Sequence, residues 1–279
     1  MKSYHQWGNR KNRMGVYMTK VFTIASGKGG TGKTMTTANL GTALALLGKR
    51  TIILDADIGM ANLGLVLGLE KSKITLHEVL AGKADIQQAI YELPTGLRVV
   101  PSGISLQGFQ NADPDRLQFV MSKLVTGADY VLIDAPAGIS KDGVIPLAIA
   151  DEVLLVVNPE LSSLADAVKI KVLTEMVGGA VGGVILNRAS AEKTMLTSQK
   201  IGQIMGAEVL EVIPEDASVR RAAAFKTPVV VMYPDSPAAK GFKKLAARIA
   251  GTKATAVESV DSKKESFIDR LARSVFGGV

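Results

Sequence analysis

Short runs of Val, Ile and Leu alternate along the chain with segments whose apolar positions recur every three or four residues. That is the pattern of parallel strands joined by crossover helices. The strand-like runs fall at 20–26, 51–55, 97–100, 130–134, 153–157, 181–186, 208–213 and 229–232. Several, such as YVLID at 130–134 and VLLVV at 153–157, are apolar almost throughout rather than alternating, as strands are when helices cover both faces. Helices are predicted at 33–47, 113–125, 162–176, 194–205 and 236–250, several opened by Ser, Thr or Asp as caps. The pattern predicts one α/β domain, residues 18–250: a doubly wound, mostly parallel sheet of about seven or eight strands with helices on both faces. After it, residues 251–262 carry neither period and read as a linker to a last segment, 263–279.

Composition narrows the class. With 47% hydrophobic and 21% charged residues the chain is of globular type. No apolar run reaches the roughly 20 residues that a membrane-spanning helix requires. There is no cysteine, hence no disulfide framework, thiolate zinc site or cysteine-held iron–sulfur cluster, which fits a reducing compartment. The formal charge is +7, a value that alone would suit nucleic acid or anionic lipid. Lys2, Arg10, Lys11 and Arg13 supply much of it, without an acidic residue in the first 17, so the remainder is only mildly basic. Residues 1–17 lack the apolar stretch of a secretory signal and read as a disordered leader, an expression remnant or a misplaced start codon.

The strongest chemical signal is Gly27, Lys28, Gly29, Gly30, Thr31, Gly32, Lys33 and Thr34, a GxxxxGK[ST] phosphate loop between a predicted strand and a predicted helix. Glycines let backbone N–H groups turn toward phosphate oxygens, and the helix N-terminus adds a favourable dipole. Lys33 brings charge to the β and γ phosphates, and the Thr34 hydroxyl is suited to Mg²⁺. Carboxylates follow two strands, where ligands of open α/β sheets gather: Asp55 and Asp57 in LDADIGMANLG, and Asp134 in YVLIDAPAGIS.

With Lys28 ahead of the glycines, KGGTGKT resembles the deviant Walker A loop of the MinD, ParA and nitrogenase-iron-protein family, and the resemblance covers residues 19–250. It implies an ATP- and Mg²⁺-dependent ATPase that dimerises on ATP, with Lys28 reaching the nucleotide of the partner copy. It further implies that Asp57 orients the attacking water and belongs to the metal site with Thr34 and Asp134, and that Gly138 lies in a mobile second switch. Asn187, Arg188, Pro214, Glu215 and Asp216 resemble the family's adenine-binding turns, and Glu160, Asp166 and Asn62 are expected near the dimer interface. Without cysteine ligands the iron–sulfur branches are excluded. DADIGMANLGL looks like the MinD pattern rather than that of ParA. It departs from it at Ala61, where many MinD proteins carry arginine, and at Gly64, where they carry aspartate.

The last segment adds a separate signal. A helix over 263–276 would gather Phe267, Ile268, Leu271, Val275 and Phe276 on one face. Lys263, Lys264, Arg270 and Arg273 outweigh Glu265 and Asp269 there, which suits an anionic bilayer surface, and the segment resembles the membrane-targeting helix of MinD. Its alternative fate is to dock on its own domain. The resulting expectation is a slow, partner-stimulated ATPase in the cytoplasm, peripheral on the inner face of the cell membrane, that places division or polar machinery for a cargo or activator the sequence does not name. Nonspecific DNA binding of the ParA kind is the alternative, and a scaffold that binds ATP without turning it over is a third.

Overall fold

The computed structural model describes residues 19–190 and 197–252. The leader 1–17, residues 194–196 of the helix expected at 194–205, most of the linker, and the expected membrane residues Phe267, Ile268, Leu271, Val275 and Phe276 lie outside the described residues.

In chain order the strands are β1 (Lys20–Ala25), β2 (Thr51–Asp55), β3 (Tyr91–Glu92), β4 (Arg98–Val100), β5 (Tyr130–Asp134), β6 (Glu152–Val157), β7 (Val181–Ala189) and β8 (Val209–Pro214). The α-helices are α1 (Lys33–Leu46), α2 (Leu63–Val66), α3 (Leu76–Leu80), α4 (Leu106–Asn111), α5 (Leu117–Leu124), α6 (Lys141–Ile149), α7 (Leu161–Met176), α8 (Ser198–Met205), α9 (Ala217–Ala224), α10 (Val229–Met232) and α11 (Pro237–Ala250). The strands form one sheet in the order β3-β4-β2-β5-β1-β6-β7-β8, parallel except for the β3–β4 pair. Chain direction turns outward both ways from β1, so the β1–β5 boundary is a topological switch point, where clefts form beyond the strand ends.

Why these strands read as continuous apolar runs is visible in the core. Successive residues point to opposite faces, and both faces are covered. Phe22, Ile53, Leu132, Leu154 and Ile185 meet Leu40, Leu44, Phe242 and Leu245 of α1 and α11 on one face. The other face is divided. Ile52, Leu54, Val131 and Ile133 pack with Leu76, Val120 and Leu124 of α3 and α5. Val153, Leu155 and Leu186 pack with Leu164, Ile170 and Ile201 of α7 and α8.

Residues 229–232, read from sequence as a strand, are helix α10 instead. Pro228 precedes the turn, and the Val230 N–H donates to Asn39 Oδ1 of α1 at 3.2 Å. A four-residue apolar run has no period of its own, and the side of α1 was already fully covered by helices rather than open to a ninth strand. β3 is the converse case, two residues too short to stand out. At the far end, Gly251 closes α11 in the left-handed conformation (φ 64°). The hydroxyl of Tyr130, at the start of β5, donates to the Ile249 carbonyl at 3.3 Å.

Candidate functional site

The phosphate loop leaves β1 and enters α1, and its sequence is fixed by its neighbours as well as by its own turns. A Cβ at Gly27 would stand 2.3 Å from the backbone carbonyl carbon of Asp166 in α7, so α7 presses directly on the loop. Gly32, the N-cap of α1, has φ 88°, and a Cβ there would meet Asn187 Nδ2 at 2.3 Å. Only glycine meets both demands at that position. Among the described residues the backbone N–H groups of Gly29 to Lys33 find no protein acceptor. Inward N–H donors at a helix start with a buried lysine behind them form an anion cradle.

Behind the cradle the chemistry converges on Asp134, at the end of β5. Its Oδ1 accepts from Lys33 Nζ and from Thr37 Oγ1, both at 2.9 Å, and its Oδ2 accepts from Thr34 Oγ1 at 2.7 Å. Lys33 and Asp134 are 7% and 1% exposed, so the pair is a buried one whose charges are each satisfied. Thr37, four residues beyond Lys33 on the same helix face, was not singled out from the sequence, though helical spacing from Lys33 points to it.

Beside this group Asp55 is fully buried and holds the ends of the following loop. Its Oδ1 accepts from the Asp57 N–H and its Oδ2 from the Leu63 N–H, each at 3.1 Å. Burial and then the nearby Asp134 charge push the Asp55 carboxyl up to about 8, against the opposing pull of Lys33 and the two backbone donors. Asp57 is half-buried. Its Oδ1 accepts from the Met60 N–H at 3.0 Å, and burial is the main cause raising its pKa above the ordinary carboxylate range. Gly138, in the loop after β5, has φ 77° and donates to the Ser26 carbonyl at 3.0 Å, which ties the second switch to the end of β1.

The outer rim is differently made. Lys28 Nζ lies 3.1 Å from Glu160 Oε2 and 3.2 Å from Ser162 Oγ, a pair 34% and 49% exposed. Met60, Ile139 and Leu161, neighbours in sequence of the two switches and of Glu160, are among the exposed large apolar residues. Asn62 is exposed and donates to the Met60 carbonyl, and Asp166 pairs with Lys169 within α7.

The late loops gather where the sequence placed them. Asn187 Nδ2 donates to the Thr31 carbonyl at 2.8 Å. Arg188, at φ 57°, pairs with Glu215 at 2.6 Å, and the Glu215 N–H donates to the Ala189 carbonyl beside Pro214. Asp216 is committed otherwise: it caps α9 by accepting from the Ser218 N–H and accepts from the Ala238 N–H at the start of α11. Among the described residues no helix is long and apolar enough to cross a membrane, and no cluster of His, Cys, Asp or Glu of metal-binding kind occurs. Mg²⁺ would therefore depend on phosphate oxygens, Thr34 and the carboxylates near it, as a P-loop ion does.

Comparison with known proteins agrees with this geometry. Residues 22–229 match the family described as the CobQ/CobB/MinD/ParA nucleotide binding domain. An uncharacterized ATP-binding protein of Methanocaldococcus jannaschii is 49% identical over 260 residues, 93% of this chain and 98% of its own. The cell division ATPase MinD of Pyrococcus furiosus superposes with a TM-score of 0.81 at 39% identity, covering 84% of this chain and 99% of that one. The septum site-determining protein MinD of Pyrococcus horikoshii, solved with Mg-ADP, superposes with a TM-score of 0.80 at 38% identity, covering 83% and 96%.

Proposed function

We propose, on the premise that this chain belongs to the MinD/ParA family of P-loop ATPases, that it is a MinD-type switch. In this reading it binds Mg-ATP, pairs with a second copy, attaches to an anionic membrane surface through residues 263–279 and lets go on hydrolysis. The observation that carries the reading is the convergence of Lys33, Thr34 and Thr37 on Asp134, with Asp57 half-open beside them.

The chain's own groups divide the work. Asp134 fixes the Lys33 ammonium behind the cradle, where it faces the β and γ phosphates. Thr34 and Asp134 are the residues to hold Mg²⁺, with Asp57 adjoining them. The ion, when bound, supplies positive charge to the phosphate oxygens. Asp57 spends Oδ1 on Met60 and keeps Oδ2 to hold and orient a water. Asn187, Arg188 and Pro214 border the loop where a base would lie, and the Asn187 oxygen remains as an acceptor.

Lys28 is the part that completes a second site. Its pair with Glu160 is exposed, and such pairs contribute only about 0–1 kcal/mol, so the lysine is cheaply released to the nucleotide of a partner copy. Exposed Met60, Ile139 and Leu161 offer apolar surface for that pairing. One amphipathic segment binds a bilayer weakly, whereas two on a paired molecule gain roughly 10²-fold or more by effective concentration. Turnover then sets the duration of attachment.

Co-sedimentation with phosphatidylglycerol-containing vesicles tests this. The full chain should sediment with ATP and stay soluble with ADP, and a chain ended at Gly251 should stay soluble with either. Equal sedimentation in all arms would sink the membrane half. Asp57→Ala should lower ATP turnover by about 10²-fold while ATP-dependent sedimentation persists.

A further inference from the structure

His77 is buried in α3, belongs to none of the motifs above, and is 1% exposed. Its Nε2 lies 3.0 Å from the carbonyl oxygen of Ile58, the residue directly after Asp57. A carbonyl oxygen only accepts, so Nε2 carries the hydrogen and donates it. The other ring nitrogen has no hydrogen-bond partner and sits against two glycines. A Cβ at Gly103 would stand 2.4 Å from Nδ1, and one at Gly108 2.7 Å. The ring therefore occupies a socket that a side chain at either position would close.

The support behind that donor is independent of the loop it meets. Thr75 and Glu78 form a capping box at the start of α3, and the Leu76 N–H donates to the Pro101 carbonyl just past β4 at 2.9 Å. The loop itself has little else. Among the described residues, the remaining hydrogen bonds of Asp57 through Asn62 are to partners within residues 55–66: Asp57 to Asp55, Met60 to Asp57, Asn62 to Met60, and Val66 to Asn62. His77 makes the single hydrogen bond that ties this loop to another part of the fold.

We propose that His77 is a positioning residue for Asp57: by holding the Ile58 carbonyl it fixes the peptide next to that carboxylate and so sets where the carboxylate stands over the phosphate loop. As far as turnover is concerned, this rests on the reading of Asp57 as the group that orients water. The geometry asks for a donor at that point rather than for bulk. Gln carries an N–H at similar reach, whereas Leu fills space without one.

The test compares His77→Gln, His77→Leu and Gly103→Ala by ATP turnover, ATP affinity and hydrogen exchange of the Gly59–Asn62 amides. His77→Leu should lower kcat about tenfold with ATP affinity within about twofold, and His77→Gln should recover most of the rate. Placed on Asp57→Ala, His77→Leu should cost nothing more, because it acts through that residue. Exchange at Gly59–Asn62 should quicken in His77→Leu but not in His77→Gln. Gly103→Ala, which displaces the ring without altering it, should quicken the same amides and serves if His77→Leu does not fold. Equal losses in the Gln and Leu variants, or unchanged exchange at Gly59–Asn62, would overturn the proposal. If turnover in the parent chain proves independent of Asp57, the functional reading falls, while the exchange measurement still decides whether His77 holds the loop.

Discussion

The phosphate loop has two sides built on opposite terms. On the inner side, Lys33, Thr34 and Thr37 all end on one buried carboxylate, and Asp55 next to it holds both ends of the first switch. On the outer side, Lys28 rests on Glu160 in the open, flanked by exposed Met60, Ile139 and Leu161. Low dielectric makes the inner contacts strong together and costly apart, whereas water and salt leave the outer pair near zero net worth. The inner half is complete within one copy of the chain. The outer half is arranged to change partners.

Substitutions on the two sides should therefore separate by size and by kind. The largest effect belongs to Asp134→Ala, which strands the Lys33 ammonium at 7% exposure: stability should fall by about 3–5 kcal/mol in denaturant unfolding. A loss below about 1 kcal/mol would mean that the inner group is no more cooperative than the rim.

Asp55→Asn should come next, and its signature is pH. The unfolded carboxyl titrates near 3.9, while burial beside Asp134 brings the folded one to about 8. Between roughly pH 4 and 8 the folded chain keeps a proton that the unfolded chain has released, so this group's contribution is full below about pH 4 and is lost as pH rises through about 8. In EDTA and without nucleotide, the melting temperature of the parent chain should fall more steeply from pH 5 to 8.5 than that of Asp55→Asn. Parallel slopes would remove Asp55 from the buried, like-charged corner.

Lys28→Ala should have the smallest effect on the fold, within about 0.5 kcal/mol, since the pair it breaks is exposed. Turnover should nonetheless drop about tenfold or more, with the deficit growing as protein concentration rises into the range where the parent chain pairs. A stability loss equal to the loss of turnover would place Lys28 with the inner group and erase the contrast.

The same division explains what could be read from the amino-acid sequence. Gly27 to Thr34, Asp57 and Asp134 were legible because local spacing alone sets them on a strand, a turn and a helix start. The apolar runs gave seven of the strands because both faces of the sheet are covered. What escaped depends on distance along the chain. His77 reaches Ile58 across 19 residues, and Asp216 proves to be a cap for α9 only because α11 comes back to meet it. Val229 to Met232 folded as a helix because Asn39, nearly 200 residues away, takes the Val230 N–H. No local period carries such information.

Strand β5 touches both extremes of the domain: Asp134 at its end anchors the phosphate loop, and Tyr130 at its start holds the last turn of α11. Whatever follows Thr252 is thus attached a full strand length, roughly 13 Å, from the nucleotide corner. For descent with modification this makes the molecule modular. Selection can rewrite or exchange the appended segment, and with it the address to which the domain is sent, while the machinery that times the visit is inherited unchanged.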